Sequence, residues 1–182
     1  MSPETIHRDG RLVILAGLPG AGKTTLADWL AVQHGFVVAS RDTIRTAMFP
    51  QCRYSFQEKD AAFEAMRSAI VIMLGQGLEV VTDGITFSAA AQLRQIAQIG
   101  ADAGVPTLVV HCAVPVDVAQ YRVEHDRLVD PTVPADRDAA LVEQVARRFD
   151  PLPDSTITID TSASVDQVHR VAIKVLGLRA KT

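Results

Sequence analysis

Residues 17–24, which read GLPGAGKT, constrain the fold of this chain more than any other stretch. They match G-x-x-x-x-G-K-[ST], a loop whose backbone N–H groups converge on phosphate oxygens. Residues 11–16 form a short apolar run that predicts a buried strand before the loop. Leu26, Trp29 and Leu30 follow the loop at helical spacing. A strand, a glycine-rich loop and a helix therefore occur in the order that phosphate binding requires, and a glycine turn that merely precedes a helix is the weaker interpretation.

The residue types of this loop suit ATP bound together with Mg²⁺. Glycines let the backbone curl, and the start of the helix adds partial positive charge beside the phosphates. We expect Lys23 to reach the β- and γ-phosphates, with its side chain in solvent when no ligand is bound. We expect the Thr24 hydroxyl to ligate Mg²⁺. The loop residues predicted to contact the nucleotide are Gly17, Gly20, Ala21, Gly22, Lys23, Thr24 and Thr25.

Length and composition narrow the class of protein. A chain of 182 residues suits one domain, which we expect to span residues 11–182 after a polar, disordered lead-in at residues 1–10. The net charge of −3 disfavours a dedicated nucleic-acid binder. Cys52 and Cys112 form no C-x-x-C pair, so we expect no structural disulfide or zinc site and a reducing, cytoplasmic location. No signal peptide is visible, and no apolar run approaches the roughly 18 residues of a membrane span.

The rest of the chain alternates predicted strands with predicted helices. Further buried strands are predicted at residues 36–39, 78–82, 106–112 and 156–160. Signals for helix starts lie between them, at the capping box of Ser55 and Glu58, the expected N-caps Ser88 and Ser164, and Pro115. This alternation predicts an α/β fold of three layers, in which a five-stranded parallel sheet carries helices on both faces.

Asp42 follows the second predicted strand, at the edge of a parallel sheet where ligands bind. A carboxylate at this position would face the γ-phosphate across a cleft, where a kinase needs a base to take the proton of the acceptor hydroxyl. Arg45, on the same helical face, would hold the γ-phosphate or the acceptor. The alternative is structural, with Asp42 capping a helix of residues 43–49 and Arg45 as a surface charge.

Asp83 ends the third predicted strand, the usual position of the Mg²⁺-associated acid in proteins with such a loop. Alternatively, Asp83 and Gly84 form an ordinary turn pair.

Residues 122–138 are predicted to contain a mobile lid, because prolines and charges crowd its second half. Arg122 and Arg127 flank its start, and arginines folded in by a lid would stabilise the charge on a transferred phosphoryl group. Alternatively, Arg122 pairs with Asp126 on a solvated helix. Weaker candidates for the same role are Arg137, Arg147 and Arg148.

Three stretches together resemble one known group: residues 17–27, the pattern Ser40-Arg41-Asp42-x-x-Arg45, and residues 80–83. They resemble the small P-loop kinases often filed as AAA-type ATPase domains, a group similar to polynucleotide 5′-kinase, chloramphenicol phosphotransferase and the zeta-toxin kinases. The likeness covers nearly the whole chain, and it implies that residues 148–153 lie near the adenine. The roles it implies are ATP·Mg²⁺ on Lys23 and Thr24, Asp42 as general base, Arg45 on the acceptor or phosphate, Asp83 near the metal or acceptor, and lid arginines at Arg122 and Arg127.

The main interpretation is therefore an ATP-dependent kinase that phosphorylates a hydroxyl of a small molecule. A nucleic-acid 5′-hydroxyl kinase is the runner-up, disfavoured by the acidic composition and the absence of a basic stripe. A nucleotide-dependent switch with slow hydrolysis and a toxin-type kinase acting on a nucleotide sugar stay open. The acceptor, the oligomeric state and the choice between ATP and GTP are not predicted, because members of the resembling group phosphorylate unrelated molecules.

Overall fold

Five parallel strands form the sheet of this protein. The computed structural model describes residues 10–130, 133 and 137–179. The strands are β1 Leu12–Ala16, β2 Val37–Ser40, β3 Val80–Asp83, β4 Thr107–Ala113 and β5 Ile157–Asp160. They lie in the order β2-β3-β1-β4-β5, and every neighbouring pair is parallel. The predicted five-stranded parallel sheet is confirmed.

Helices cover both faces of this sheet. In the described part of the chain they are α1 Lys23–His34, α2 Arg41–Met48, α3 Phe56–Gly75, α4 Ala90–Ala103, α5 Val116–Val129, α6 Ala139–Arg147 and α7 Val165–Val175. On one face, α1, α5, α6 and α7 share a hydrophobic cluster with the sheet. On the other face, α3 and α4 share a second cluster with it. The predicted three-layer α/β architecture is therefore confirmed.

The central strand β1 shows why the sheet is buried on both sides. All five of its residues have no solvent exposure. Val13 and Leu15 pack into the first cluster, whereas Leu12 and Ile14 pack into the second. Successive side chains of a strand point to opposite faces, so a continuous apolar run is what a strand covered by two layers of helices requires.

The parallel register brings three loops to one edge of the sheet. β1 lies between β3 and β4, so the glycine-rich loop emerges at the middle of the carboxyl edge. β2 and β3 pair with Ser40 opposite Asp83, so both strands end at the same level. Asp42, two residues beyond the end of β2, therefore lies close to Asp83 and to the glycine-rich loop.

The cap of α2 is not the predicted one. Ser40 occupies the N-cap, and its side chain accepts a hydrogen bond from the Thr43 N–H at 3.4 Å. The helix begins at Arg41, so Asp42 lies in its first turn and does not cap it. The structural alternative for Asp42 is wrong because a serine two residues earlier already fills that role.

The predicted N-cap of α4, Ser88, is also wrong. Ala89 occupies the cap position and has no capping side chain. The free backbone N–H of Ala90 instead donates to Asp150 Oδ2 at 2.8 Å. The capping carboxylate comes from 60 residues further along the chain, so local sequence patterns do not indicate it. The capping box of Ser55 and Glu58 at α3 is confirmed.

Two predictions fall on residues whose structure is not described. Residues 1–9 of the expected lead-in at residues 1–10 lie outside the described residues. The expected lid is described only in part, because residues 131, 132 and 134–136 are not among the described positions. Its mobility therefore stays a prediction. Among the described helices, none has the length and apolar character that crossing a membrane requires.

Candidate active site

The loop between β1 and α1 packs tightly against α5. Gly20 has a φ of 77°, and a Cβ placed there would lie 2.5 Å from the Ala119 carbonyl oxygen of α5. Any other residue would have to push the loop away from that helix. The last loop residue, Gly22, has a φ of 75° and occupies the N-cap of α1, so the helix begins at Lys23. Glycines thus allow the loop to curl and to pack closely against α5.

Lys23 is buried, with 8% of its surface exposed, whereas we expected its side chain to extend into solvent. Its Nζ donates hydrogen bonds to the carbonyl oxygens of Gly17 at 2.9 Å and Leu18 at 2.8 Å. The expectation is wrong because the curled loop supplies acceptors for the ammonium from its own backbone. Burial lowers the pKa of Lys23 to about 8. The ammonium of Lys23 is therefore mostly charged at neutral pH but loses its proton far more easily than an exposed lysine.

Thr24 and Asp83 form a pair of oxygen donors beside the loop. The Thr24 hydroxyl, in the first turn of α1, donates to Asp83 Oδ1 at the end of β3 at 3.0 Å. Burial raises the pKa of Asp83, which is 6% exposed. Hydroxyl and carboxylate oxygens are the ligands that Mg²⁺ prefers. No cluster of three or more metal-ligating His, Cys, Asp or Glu side chains occurs among the described residues.

Asp42 and Arg45 form an ion pair at the start of α2. The Arg45 guanidinium lies 3.1 Å from Asp42 Oδ1, and that of Arg41 lies 3.6 Å from the same oxygen. Arg45 is only 6% exposed, so the alternative of a surface charge is wrong. Gly84, which follows β3, packs closely against the first turn of α2, because a Cβ on it would lie 2.7 Å from the Asp42 backbone nitrogen. Gly84, with a φ of 73°, therefore allows Asp42 and Asp83 to approach each other.

Two cavities meet at the loop. A small cavity of about 340 Å³ is lined by loop and α1 residues from Gly20 to Leu26, by Arg122, and by the segment after β5 that includes Thr161 and His169. A large cavity of about 750 Å³ is lined by the start of α2, by Tyr54 and Lys59, and by the ends of β3 and α5. Both cavities include Lys23, Thr24 and Arg137 in their walls.

The arginines predicted to stabilise the phosphoryl group differ in whether they line the two cavities. Arg122 lies against the loop, donating to the carbonyl oxygens of Thr161 at 2.8 Å and Gly20 at 3.5 Å. Arg127 pairs with Glu124 at 3.1 Å and lines neither cavity. Arg137, a weaker candidate, lines both cavities.

Two further arginine candidates and the expected adenine segment lie away from the small cavity. Arg147 pairs with Glu143 at 2.6 Å on the outside of α6, and its side chain is 77% exposed. Residues 148–153 supply Asp150 to the start of α4, and their Phe149 and Leu152 line a third cavity of about 410 Å³. None of these six residues lines the small cavity.

Sequence reasoning missed several residues that line the two cavities. Arg41 stands between two residues that were recognised, yet nothing in the pattern separates it from a surface arginine. Tyr54 has a φ of 58°, a conformation that its sequence context does not indicate. Thr161 and His169 follow the fifth strand, and the rule that ligands gather beyond strand ends would have pointed to Thr161.

The parallel sheet, the loop after β1 and the Thr24–Asp83 pair define a P-loop NTPase with a kinase-like fold. The AAA domain family matches residues 12–152, and the chain belongs to this family. No relative was found among curated protein sequences.

Solved structures of kinases share the fold. A candidate kinase from Chloroflexus aurantiacus J-10-fl is 21% identical, with a TM-score of 0.74 over 94% of this chain and 100% of that one. The APS kinase CysC of Mycobacterium tuberculosis, in complex with AMPPNP and APS, is 15% identical, with a TM-score of 0.67 over 92% and 98%. A sugar kinase from Janibacter sp. HTCC2649 is 18% identical, with a TM-score of 0.68 over 93% and 95%.

Proposed function

We propose that this protein is a kinase that transfers the γ-phosphate of ATP to a hydroxyl group of a small-molecule acceptor. The observation that carries the proposal is the pair of cavities that meet at Lys23 and Thr24. One is lined by a phosphate-binding loop, and the other is lined by a carboxylate and basic side chains. The neighbours described as an APS kinase with AMPPNP and as a sugar kinase support the same class of reaction.

The small cavity would hold the nucleotide. Backbone N–H groups of the loop and the start of α1 would bind the phosphates. Lys23 would exchange its two loop carbonyls for the β- and γ-phosphate oxygens, and Arg122 would hold the loop against the segment after β5. Mg²⁺ bound with ATP would be held by Thr24 and Asp83 and would neutralise phosphate charge.

The large cavity would hold the acceptor. Its hydroxyl oxygen would form a bond to the γ-phosphorus while the bond from that phosphorus to the β–γ bridging oxygen breaks. ADP would leave with that electron pair, and the hydroxyl proton would pass to the Asp42 carboxylate. Asp42 suits this role because its side chain is 45% exposed, lines the large cavity and does not cap α2. Arg137, in the walls of both cavities, would stabilise charge on the transferred group.

The proposal includes a cytoplasmic location, where ATP is available and where Cys52 and Cys112 would stay free, as they are here.

An acceptor screen combined with two variants tests the proposal. Radiolabelled ATP is incubated with sugars, nucleosides, antibiotics, small phosphorylated metabolites and 5′-hydroxyl oligonucleotides, and labelled products are identified. With the best acceptor, Asp42→Asn should lower transfer by about 10²–10⁴-fold while leaving ATP affinity unchanged. The control is Asp28→Asn, which removes an exposed carboxylate of α1.

Three results would decide against parts of the proposal. Near-wild-type transfer in Asp42→Asn contradicts the base assignment. Label on oligonucleotide ends alone establishes the nucleic-acid kinase instead. No labelled product from any acceptor, together with a protein partner that binds only the ATP form, establishes the switch.

A further inference from the structure

The described residues that line the large cavity include five basic side chains, Lys23, Arg41, Arg45, Lys59 and Arg137, and three carboxylates, Asp42, Asp83 and Asp130. Arg41, Asp42, Arg45 and Lys59 form its wall at α2 and the start of α3. The side chains of Arg41 and Arg45 are only 19% and 7% exposed, respectively. No ion pair of Lys59 occurs in the described part of the chain. Two guanidinium groups have thus been removed from water with one carboxylate between them.

Hydrogen bonding on this wall is incomplete. The Nε atoms of Arg41 and Arg45 are buried and have no hydrogen-bond partner, and neither does Asp42 Oδ1. The contact of Asp42 with Arg45 is therefore an ion pair without hydrogen-bond alignment. Buried charged donors without acceptors destabilise a protein unless another group supplies the acceptors. Burial also lowers the pKa of the Arg41 guanidinium, with the neighbouring Asp42 opposing that change only in part.

Tyr54 fixes the face of the Arg45 guanidinium. The guanidinium carbon lies 4.5 Å from the centre of the Tyr54 ring. Tyr54 adopts a φ of 58°, which is strained for a bulky residue and tends to occur at functional sites. Covering the flat face of an arginine leaves its edge, where the N–H groups lie, for forked recognition of an anion.

The backbone on both sides of Tyr54 is hydrogen-bonded to one carboxylate, that of Glu58. Glu58 accepts hydrogen bonds from the backbone N–H of Arg53 at 3.1 Å and from that of Ser55 at 2.8 Å. The hydrogen bond from the Arg53 N–H contributes most to lowering the pKa of Glu58. Glu58 therefore holds the backbone on both sides of the strained Tyr54.

We propose that the acceptor carries an anionic group, a phosphate, sulfate or carboxylate, that binds Arg41 and Arg45 and so presents the acceptor hydroxyl to Asp42. The inference rests on the proposed function, because it names the class of acceptor for the same site. The anion offers hydrogen-bond acceptors to the guanidinium groups that line the cavity, and Lys59 adds to its attraction. Asp42 contacts Arg41 and Arg45 and also packs against Gly84, which follows Asp83, so an acceptor anchored on the arginines would bring its hydroxyl close to Asp42.

Acceptors in matched pairs test the chemical class. Each pair differs only in the charged group, such as a nucleoside against its monophosphate, a sugar against its phosphate, and glycerol against glycerate. The phosphate and glycerate arms separate a tetrahedral oxyanion from a carboxylate. We expect label transfer to the anionic member of at least one pair at a kcat/KM about 10²-fold or more above that of its neutral partner. Equal or faster transfer to the neutral members would overturn the proposal.

Inorganic sulfate tests the subsite without knowledge of the acceptor. The protein is saturated with AMPPNP and Mg²⁺, and sulfate is titrated against chloride of equal ionic strength while melting temperature and binding heat are followed. We expect sulfate to stabilise the nucleotide-bound protein further. The sulfate affinity should fall about tenfold or more in Arg45→Gln and in Arg41→Gln. It should stay unchanged in Arg147→Gln, which removes an exposed arginine of α6.

The outcomes separate the two proposals. Failure of AMPPNP to stabilise the protein contradicts the proposed nucleotide site, whereas sulfate binding that depends on Arg45 but not on Lys23 still supports the anion subsite. Absence of sulfate stabilisation, or its persistence in both arginine variants, overturns the subsite. Arg45 is deeply buried, so if Arg45→Gln does not fold, Arg41→Gln decides, and half-buried Lys59→Gln should show a smaller loss.

Discussion

The small and large cavities meet at Lys23, yet they are built in different ways. The small cavity is lined mainly by the phosphate-binding loop, the start of α1 and the segment after β5, with Arg122 and Arg137 beside them. The large cavity is walled by side chains from α2, the loop before α3, and the end of α5. Phosphate is the same in every nucleotide, so a fixed backbone arrangement suits it. An acceptor varies between enzymes, and side chains are the part of a fold that changes with least disturbance.

Lys23 belongs to both cavities, so its loss should have the largest effect. Lys23→Met keeps most of the volume but removes the charge that we expect on the phosphates. Transfer should fall by about 10²–10³-fold, with a clear loss of nucleotide affinity. The melting temperature should change little, because the variant also removes a buried charge. Steady-state kinetics and calorimetric titration of ATP·Mg²⁺ measure both. Wild-type affinity together with wild-type turnover would contradict the phosphate-binding loop.

Two glycine variants should each impair the function of one cavity and leave the other cavity intact. Gly20→Ala places a methyl group against α5 and should lower nucleotide affinity, whereas Gly84→Ala places one against Asp42 and should lower transfer with ATP affinity unchanged. Overpacking of about 1–3 kcal/mol predicts losses of about five- to a hundredfold. Gly35→Ala is the control, because it has the same φ as Gly20 but open space around it. Identical profiles for the first two variants would show that the cavities are not independent.

Nucleotide affinity should fall above pH 8. Burial gives Lys23 a pKa of about 8 in the free protein, and phosphates favour its charged form. Between pH 7 and pH 9 the dissociation constant for ATP should therefore rise about tenfold, and at pH 8 binding should take up about half a proton. Calorimetry in buffers of different ionisation enthalpy measures the uptake. Lys23→Met should abolish it.

The same pKa predicts how Lys23 affects folding. Its folded value lies below its unfolded value of 10.5, so the unfolded chain binds more protons between the two values. The free energy of unfolding should therefore rise with pH from about 8 to about 10.5 by a contribution that Lys23→Met lacks. Denaturant titrations of both proteins at pH 7 and pH 10 measure the difference. A contribution of the opposite sign would contradict a buried, charged lysine at neutral pH.

The smallest expected effect is a difference in nucleotide affinity between variants of two arginines of α5. Arg122→Gln removes contacts to the loop and to the segment after β5, so nucleotide affinity should fall about fivefold. Arg127→Gln removes only an exposed pair with Glu124 and should leave affinity and transfer unchanged. A larger loss in Arg127→Gln would show that the loop after α5 brings that residue to the nucleotide.

The difference between the cavities also explains what the sequence predicted. The phosphate-binding loop is local: its glycines, Lys23 and Thr24 are adjacent, and strand and helix patterns flank them. The strand ends placed Asp42 and Asp83 correctly at one edge. Local patterns could not decide whether Ser40 or Asp42 caps α2, because both are favoured N-cap residues, and they could not show that Asp150 caps α4 from 60 residues away. Nor could they show that Arg45 is buried under Tyr54, because that contact depends on a strained backbone.

The stack of Trp29 on His169 links a fluorescent side chain to the wall of the small cavity. The chain has a single tryptophan, and its ring lies parallel to that of His169 with centres 4.1 Å apart. His169 is part of the wall of the small cavity. A ligand that shifts this imidazole changes the surroundings of the only indole fluorophore. Emission from the unlabelled protein should therefore follow ATP occupancy directly, and His169→Ala should erase the signal while the calorimetric heat of binding remains.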